Sequence, residues 1–182
     1  GLGSVAAGIG KAAAVGIGAI GVAAGTVGKD LVNLASDAGE ARSAFETTFG
    51  DALPQVSGFV EEFANKAGLA AFELEGLLTN TGAVLQGIDF TAEASGELGT
   101  KLAALAGDVA SFANVQGGAQ PVLEAFTKSL LGENESLKTY GIAISQAEVE
   151  TKAFEMTGKS SRDELTKQER ALPTYKFLLK TT

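Results

Sequence analysis

The sequence predicts an all-α fold: several short amphipathic helices in a bundle-like module, preceded by a long Gly/Ala-rich apolar helix. Three observations carry that expectation. After Lys29 the apolar residues recur at spacings of three and four, the period that gathers side chains on one face of a helix. Ser145-Gln146-Ala147-Glu148 and Thr166-Lys167-Gln168-Glu169 are capping boxes, in which hydroxyl and carboxylate each satisfy a backbone N–H left without a partner at a helix start. The only strand-like piece, Ile142-Ala143-Ile144, has no partner strand in the sequence.

Two segments follow, residues 1–28 and residues 29–182. Gly1 to Gly28 holds nine glycines and a single charge, Lys11. Seventeen uncharged residues separate Lys11 from Lys29, at the short end for crossing a bilayer, where about 20 are usual. Glycine lowers helix propensity in water. Gly21-x-x-x-Gly25, however, is the small-residue spacing that lets two helices approach closely. Gly16, Ile17, Ile20, Gly21 and Gly25 are therefore candidate membrane or helix-packing residues. Two readings stand: a membrane-competent helix, or one buried against copies of itself.

Pro54 suits the first turn of a helix, where the missing N–H costs nothing, and Leu53, Val56, Val60, Phe63 and Ala67 follow as one stripe. A second run carries Leu69, Phe72, Leu77, Val84, Leu85 and Ile88. Thr79-Asn80-Thr81-Gly82 interrupts it as a turn or a weak point of a helix. Leu98, Leu102, Leu105, Val109 and Phe112 form the clearest stripe, with Glu97, Lys101 and Asp108 on other faces; it is shorter than a coiled coil needs. Gly117-Gly118 breaks the pattern. Pro121 then opens a helix bearing Val122, Leu123, Phe126 and Leu130, closed by Gly132. The first capping box should head a helix ending at Thr157 before Gly158. The second should head one that presents Leu172, Tyr175 and Leu179 and is kinked at Pro173, which removes a donor and crowds the preceding turn.

The 182 residues allow one core with an appended arm. The chain opens at Gly1 and its one methionine is Met156, so it reads as a slice of a longer polypeptide. Without Cys or His, disulfides, thiolate nucleophiles, zinc sites and imidazole acid–base chemistry drop out together. Asp51 to Asp108 carries nine acids against Lys66 and Lys101, which argues against nucleic-acid binding there.

Gly16-Ile17-Gly18-Ala19-Ile20-Gly21 matches the dinucleotide fingerprint, with Asp37 and Glu40 near the place of a ribose-binding acid. It lacks the strand–helix–strand setting the motif requires. Gly10-Lys11 fails as a phosphate loop because Ala12 follows and Val5 stands where glycine is needed. Glu61, Glu62, Glu73 and Glu75 read as solvated surface, since near neighbours on a helix do not face each other. The phenylalanines, among them Phe45, Phe49, Phe59, Phe63, Phe72, Phe112, Phe126 and Phe154, read as core. No catalytic, cofactor-binding or metal-binding set emerges, and the expectation is a protein that is not an enzyme.

One further signal is the order of the segments. An apolar Gly/Ala run leads into Ala35-Ser36-Asp37-Ala38-Gly39-Glu40-Ala41 and Phe45-Glu46-Thr47-Thr48-Phe49-Gly50-Asp51-Ala52. A Leu/Ala-rich stretch ending at Phe112 comes next. Then follow Ala125-Phe126-Thr127-Lys128-Ser129-Leu130-Leu131-Gly132-Glu133 with its continuation to Lys138, Tyr140 to Val149, Lys152-Ala153-Phe154, and Leu165 to Leu172. This order, over most of the chain, resembles a recurring module of the tape measure proteins of long-tailed bacteriophages. Pro173 departs from the pattern, in which an ordinary helical residue usually continues.

The resemblance implies a long, mostly helical structural protein in the lumen of the tail tube, where it templates tube assembly, sets tail length and later assists genome delivery through the host envelope. By the same resemblance the partners are the tail tube protein, tail-tip or baseplate proteins, tail assembly chaperones, copies of the chain itself and the host inner membrane, with no specific nucleic-acid binding and no cofactor. The alternative is a stand-alone pore-forming or membrane-permeabilising helical protein. A nucleotide-binding enzyme through Gly16 to Gly21 is a remote third.

Overall fold

The computed structural model describes residues 28–180. Seven α-helices follow one another: α1 (Gly28–Phe49), α2 (Leu53–Ala67), α3 (Ala71–Gly87), α4 (Ala92–Phe112), α5 (Ala119–Leu130), α6 (Gln146–Thr157) and α7 (Lys167–Leu178). Short 3-10 turns occupy Gly50–Ala52, Glu135–Tyr140 and Arg162–Glu164. Among the described residues there is no strand. The expected apolar helix over residues 1–28 lies outside them, apart from its last glycine.

Local chemistry explains most boundaries. Pro54 sits in the first turn of α2, and α2 stops at Gly68, whose φ of +69° is the left-handed conformation that glycine adopts without steric cost. The hydroxyl of Thr91 accepts the Ala94 N–H at the start of α4. Both capping boxes form: Ser145 Oγ accepts the Glu148 N–H while the Glu148 carboxylate accepts the Ser145 N–H, and Thr166 and Glu169 repeat the exchange. At α3 the device is one-sided. Glu73 accepts the Ala70 N–H at 2.8 Å, and Ala70 has no side-chain acceptor to return.

Helix α1 packs chiefly on α3, α4 lies against α3 and α5, and α6 pairs with α7, which also touches α5. The core runs through all of them, with Phe45, Phe49, Val56, Leu78, Leu102, Val122, Phe126, Leu137 and Leu178 fully buried. Two phenylalanines at the end of α1 are its centre, edge-on to each other with ring centroids 5.1 Å apart. The Phe49 ring lies so close to α3 that a Cβ on Gly82 would fall 2.8 Å from its Cζ. On α4 a Cβ on Gly96 would fall 2.8 Å from Val56 Cγ2. Glycine costs a helix up to about 1 kcal/mol relative to alanine; here it permits the close approach of neighbouring helices.

Several sequence expectations need correction. Thr79 to Gly82 is neither turn nor weak point: the Thr79 and Thr81 hydroxyls donate to the carbonyls of Glu75 and Leu77, and α3 runs through. On α4 only Leu102 and Leu105 of the expected stripe are buried, Leu98 and Val109 are half-buried, and Phe112 is 95% exposed. The face α4 turns inward is instead built of small residues, Ser95, Gly96, Gly99, Ala103, Ala106 and Ala110. On α7 the apolar register is Ala171, Tyr175 and Leu178. Leu179 is 41% exposed, whereas Pro173 lies inside the helix as expected and is buried. The expectation for Ile142-Ala143-Ile144, by contrast, holds: among the described residues it has no strand partner, with Ile142 and Ile144 buried and Ala143 exposed.

Candidate functional site

The carboxylates considered for acid–base chemistry scatter. Glu61 and Glu62 are exposed, Glu73 is the cap of α3, and Glu75 corrects the solvated-surface reading, for it is only 7% exposed. Its carboxylate meets Arg42 of α1 at 2.7 Å, and the same guanidinium bonds Glu46 and lies 5.7 Å over the Phe45 ring. The hydrogen bonds that Arg42 donates to Glu46 and then to Glu75 hold its pKa above the ordinary value. With both partners placed, this is a clamp between α1 and α3. Tyr175, buried with its hydroxyl unpartnered, has its pKa raised by that burial.

The side chains that do converge lie where four helix ends meet. A groove of about 410 Å³ opens between the ends of α3 and α5 on one side and α6, the Arg162 turn and α7 on the other. Its floor is apolar: Ile88, Leu130, Val149 and Leu165 are each no more than 8% exposed. Leu131 stands at the lip, 54% exposed. Gly132, at φ +96°, turns the chain away after α5.

The rim is cationic. Arg162 pairs with Glu150 at 3.2 Å, Lys167 donates to the Gly87 carbonyl at 3.3 Å, and Arg170 donates to the Arg162 carbonyl at 2.9 Å. Gln168 adds a hydrogen bond to the Asp89 carbonyl, tying α7 to the α3–α4 loop. Beneath α7, Lys159 meets Glu169 at 2.6 Å, and that bond, followed by the Thr166 N–H, holds the Glu169 carboxyl below the usual carboxylate range. The one carboxylate in the lining, Glu150, is already paired, so the groove offers an apolar seat edged by three cations against one acid. Such a site suits an apolar side chain with a carboxylate beside it.

Gly16, Ile17, Ile20, Gly21 and Gly25, the candidate membrane or helix-packing residues, lie outside the described residues, as do the dinucleotide match and Gly10-Lys11. Asp37 falls within α1 and Glu40 is exposed on it, with no strand among the described residues to complete a nucleotide-binding unit. Among the described residues no helix is long and apolar enough to cross a membrane, and no group of acids could hold a metal ion. Sequence reasoning missed the groove altogether. Its only local signals are Gly132 and the two capping boxes, which fix where α5 ends and where α6 and α7 begin. No protein-family model, curated protein or solved structure matches the chain.

Proposed function

We propose that the chain is a folded module of a phage tail tape measure protein, a structural part of the virion and not an enzyme. The observation that carries this reading is the convergence of the resembling segments. The runs Ala125 to Lys138, Tyr140 to Val149 and Leu165 to Leu172 supply Leu130, Leu131, Val149, Leu165, Lys167 and Arg170 to one groove. Segments that resemble the family in order thus also meet in space, as they do when a module is kept as a unit.

The partners in this reading are the tail tube and tail-tip proteins, assembly chaperones, further copies of the chain and, for residues 1–28, the host inner membrane. A ruler converts residues into length at about 1.5 Å each along a helix. The longest helix among the described residues has 22 residues, and the chain there folds back repeatedly at glycines. The module therefore serves tail-tip assembly or envelope passage more than the length count.

The test is mass spectrometry of purified tails, together with negative-stain tail lengths of phage carrying an in-frame deletion of residues 28–180. Recovery in tails, with full-length tails that fail to infect, is expected. Tails shorter by about 230 Å, the length of those residues as a continuous helix, would make the region an extended ruler. Absence from tails would overturn the tail reading. The apolar Gly/Ala run favours a second reading, a stand-alone pore-former, and dye release from liposomes by the purified chain without phage parts would support it.

A further inference from the structure

We propose that copies of this chain associate head to tail, the Phe112 knob of one copy seated in the groove between α5, α6 and α7 of the next. Phe112 is the most exposed large apolar side chain of the described residues, at 95%. It is the last residue of α4, and Asp108, four residues earlier, lies on the same helix face and is also exposed. No ion-pair partner of Asp108 occurs among the described residues. The knob is thus an aromatic ring with a carboxylate one turn away. The groove is its complement, with the apolar side chains of Ile88, Val149 and Leu165 inside, Leu131 at the lip and Arg162 and Arg170 on the rim.

The two features lie at opposite ends of the module. Ile88 lines the groove just before the loop into α4, and the 21 residues of α4 then carry the chain to Phe112, about 31 Å away along the helix. A knob cannot reach its own groove at that separation. A contact made by two different patches of the same chain is heterologous, and with the patches at opposite ends it extends into an open row instead of closing as a symmetric pair. The knob is small and each copy carries a net charge of −8, so each contact is weak and depends on the local pairing of Asp108 with the rim cations at physiological salt. The inference goes beyond the tail reading and does not depend on it.

Sedimentation velocity of the full 182-residue chain, over a concentration series at physiological salt, tests it with two variants. Phe112→Ser removes the knob and Leu131→Asp places a like charge against the incoming Asp108. Both positions are exposed, so unchanged circular dichroism is expected for each. Wild type should form species beyond the dimer, and each variant alone should lose association by about tenfold or more in Kd. The mixture is decisive. Phe112→Ser keeps its groove and Leu131→Asp keeps its knob, so together they should form a one-to-one pair that grows no further.

A wild type that stays monomeric, a Phe112→Ser chain that associates like wild type, or a mixture that forms no pair would each overturn the proposal. Association through residues 1–28 would persist in both variants, and a symmetric Phe112–Phe112 contact would give no mixed pair.

Discussion

Replacing Gly82 with alanine sets two effects of known sign against each other. Alanine in a helix interior is favoured over glycine by about 0.5–1 kcal/mol, through lower chain entropy in the unfolded state. At Gly82 the new Cβ would lie 2.8 Å from Phe49 Cζ, 2.9 Å from Phe49 Cε1 and 2.9 Å from Thr48 Cγ2. The ring has little room to retreat, for Phe49 is fully buried, stands edge-on to Phe45, and its Cδ1 already lies 3.6 Å from where a Cβ on Gly96 would be. Overpacking of this kind costs about 1–3 kcal/mol, so the net result is a loss of roughly 0–2.5 kcal/mol once the helix gain is subtracted. Gly76 lies in the same helix with nothing within 4 Å of its built Cβ. Gly76→Ala should therefore stabilise by about 0.5–1 kcal/mol. Urea unfolding followed by far-ultraviolet circular dichroism reads both. Shrinking the ring with Phe49→Leu should lessen the Gly82→Ala penalty, a coupling expected only for groups in contact. If Gly82→Ala proved as stabilising as Gly76→Ala, the argument that glycine is there for the ring would be refuted.

Arg42→Ala leaves the Glu75 carboxylate buried without its cation and should cost about 1–3 kcal/mol, less than a fully buried pair because Arg42 is 44% exposed; adding Glu75→Leu should recover most of the loss in the same unfolding assay. Ser145→Ala and Thr166→Ala each remove a cap hydroxyl and should cost about 1 kcal/mol apiece, adding nearly independently as separate sites do. Glu148 and Glu169 have folded pKa values lowered, the first by its bonds from Ser145 and the second by Lys159. A lowered carboxyl contributes stability that is present above its unfolded pKa, about 4.3, and lost as pH falls through the folded value. Glu148→Gln with Glu169→Gln should therefore flatten the fall in melting temperature between about pH 5 and pH 3, and an unchanged slope would show that other carboxylates carry it.

What the sequence made legible was whatever depends on neighbours within one helical turn. The starts of α6 and α7 need only a hydroxyl and a carboxylate three residues apart, and the ends at Gly132 and Gly158 need only a residue at ease with positive φ. Burial is different, because it depends on what arrives from elsewhere. Counting large apolar residues on α4 selected Phe112, yet nothing covers that side chain, although Ala110 beside it is buried. The inward face of Ser95, Gly96, Gly99, Ala103 and Ala106 escapes any count of hydrophobicity because its packing depends on smallness. Gly82 looked like a break for the same reason, since the ring that requires it comes from 33 residues earlier in the chain. The groove joins residues from Gly87 to Thr174, and no local spacing encodes that.

The same packing decides how a length experiment on this region must be designed. Removing only Leu53 to Ile88 would take away α2 and α3, and with them Val56, Val60, Leu74, Leu78 and Leu85, all buried in the shared core. The remaining helices would then expose Phe45, Phe49 and Leu102 to water. Burial of such side chains is worth about 1.5–3 kcal/mol each, and a domain's whole margin is only about 5–15 kcal/mol, so the fold would be lost. A partial deletion therefore cannot separate ruler from module, because an unfolded remainder changes both length and activity. Only removal of the entire unit leaves a clean alternative: either the tail shortens in proportion to the residues removed, as for an extended helix, or it keeps its length, because a module whose helices fold back on one another adds little to a ruler.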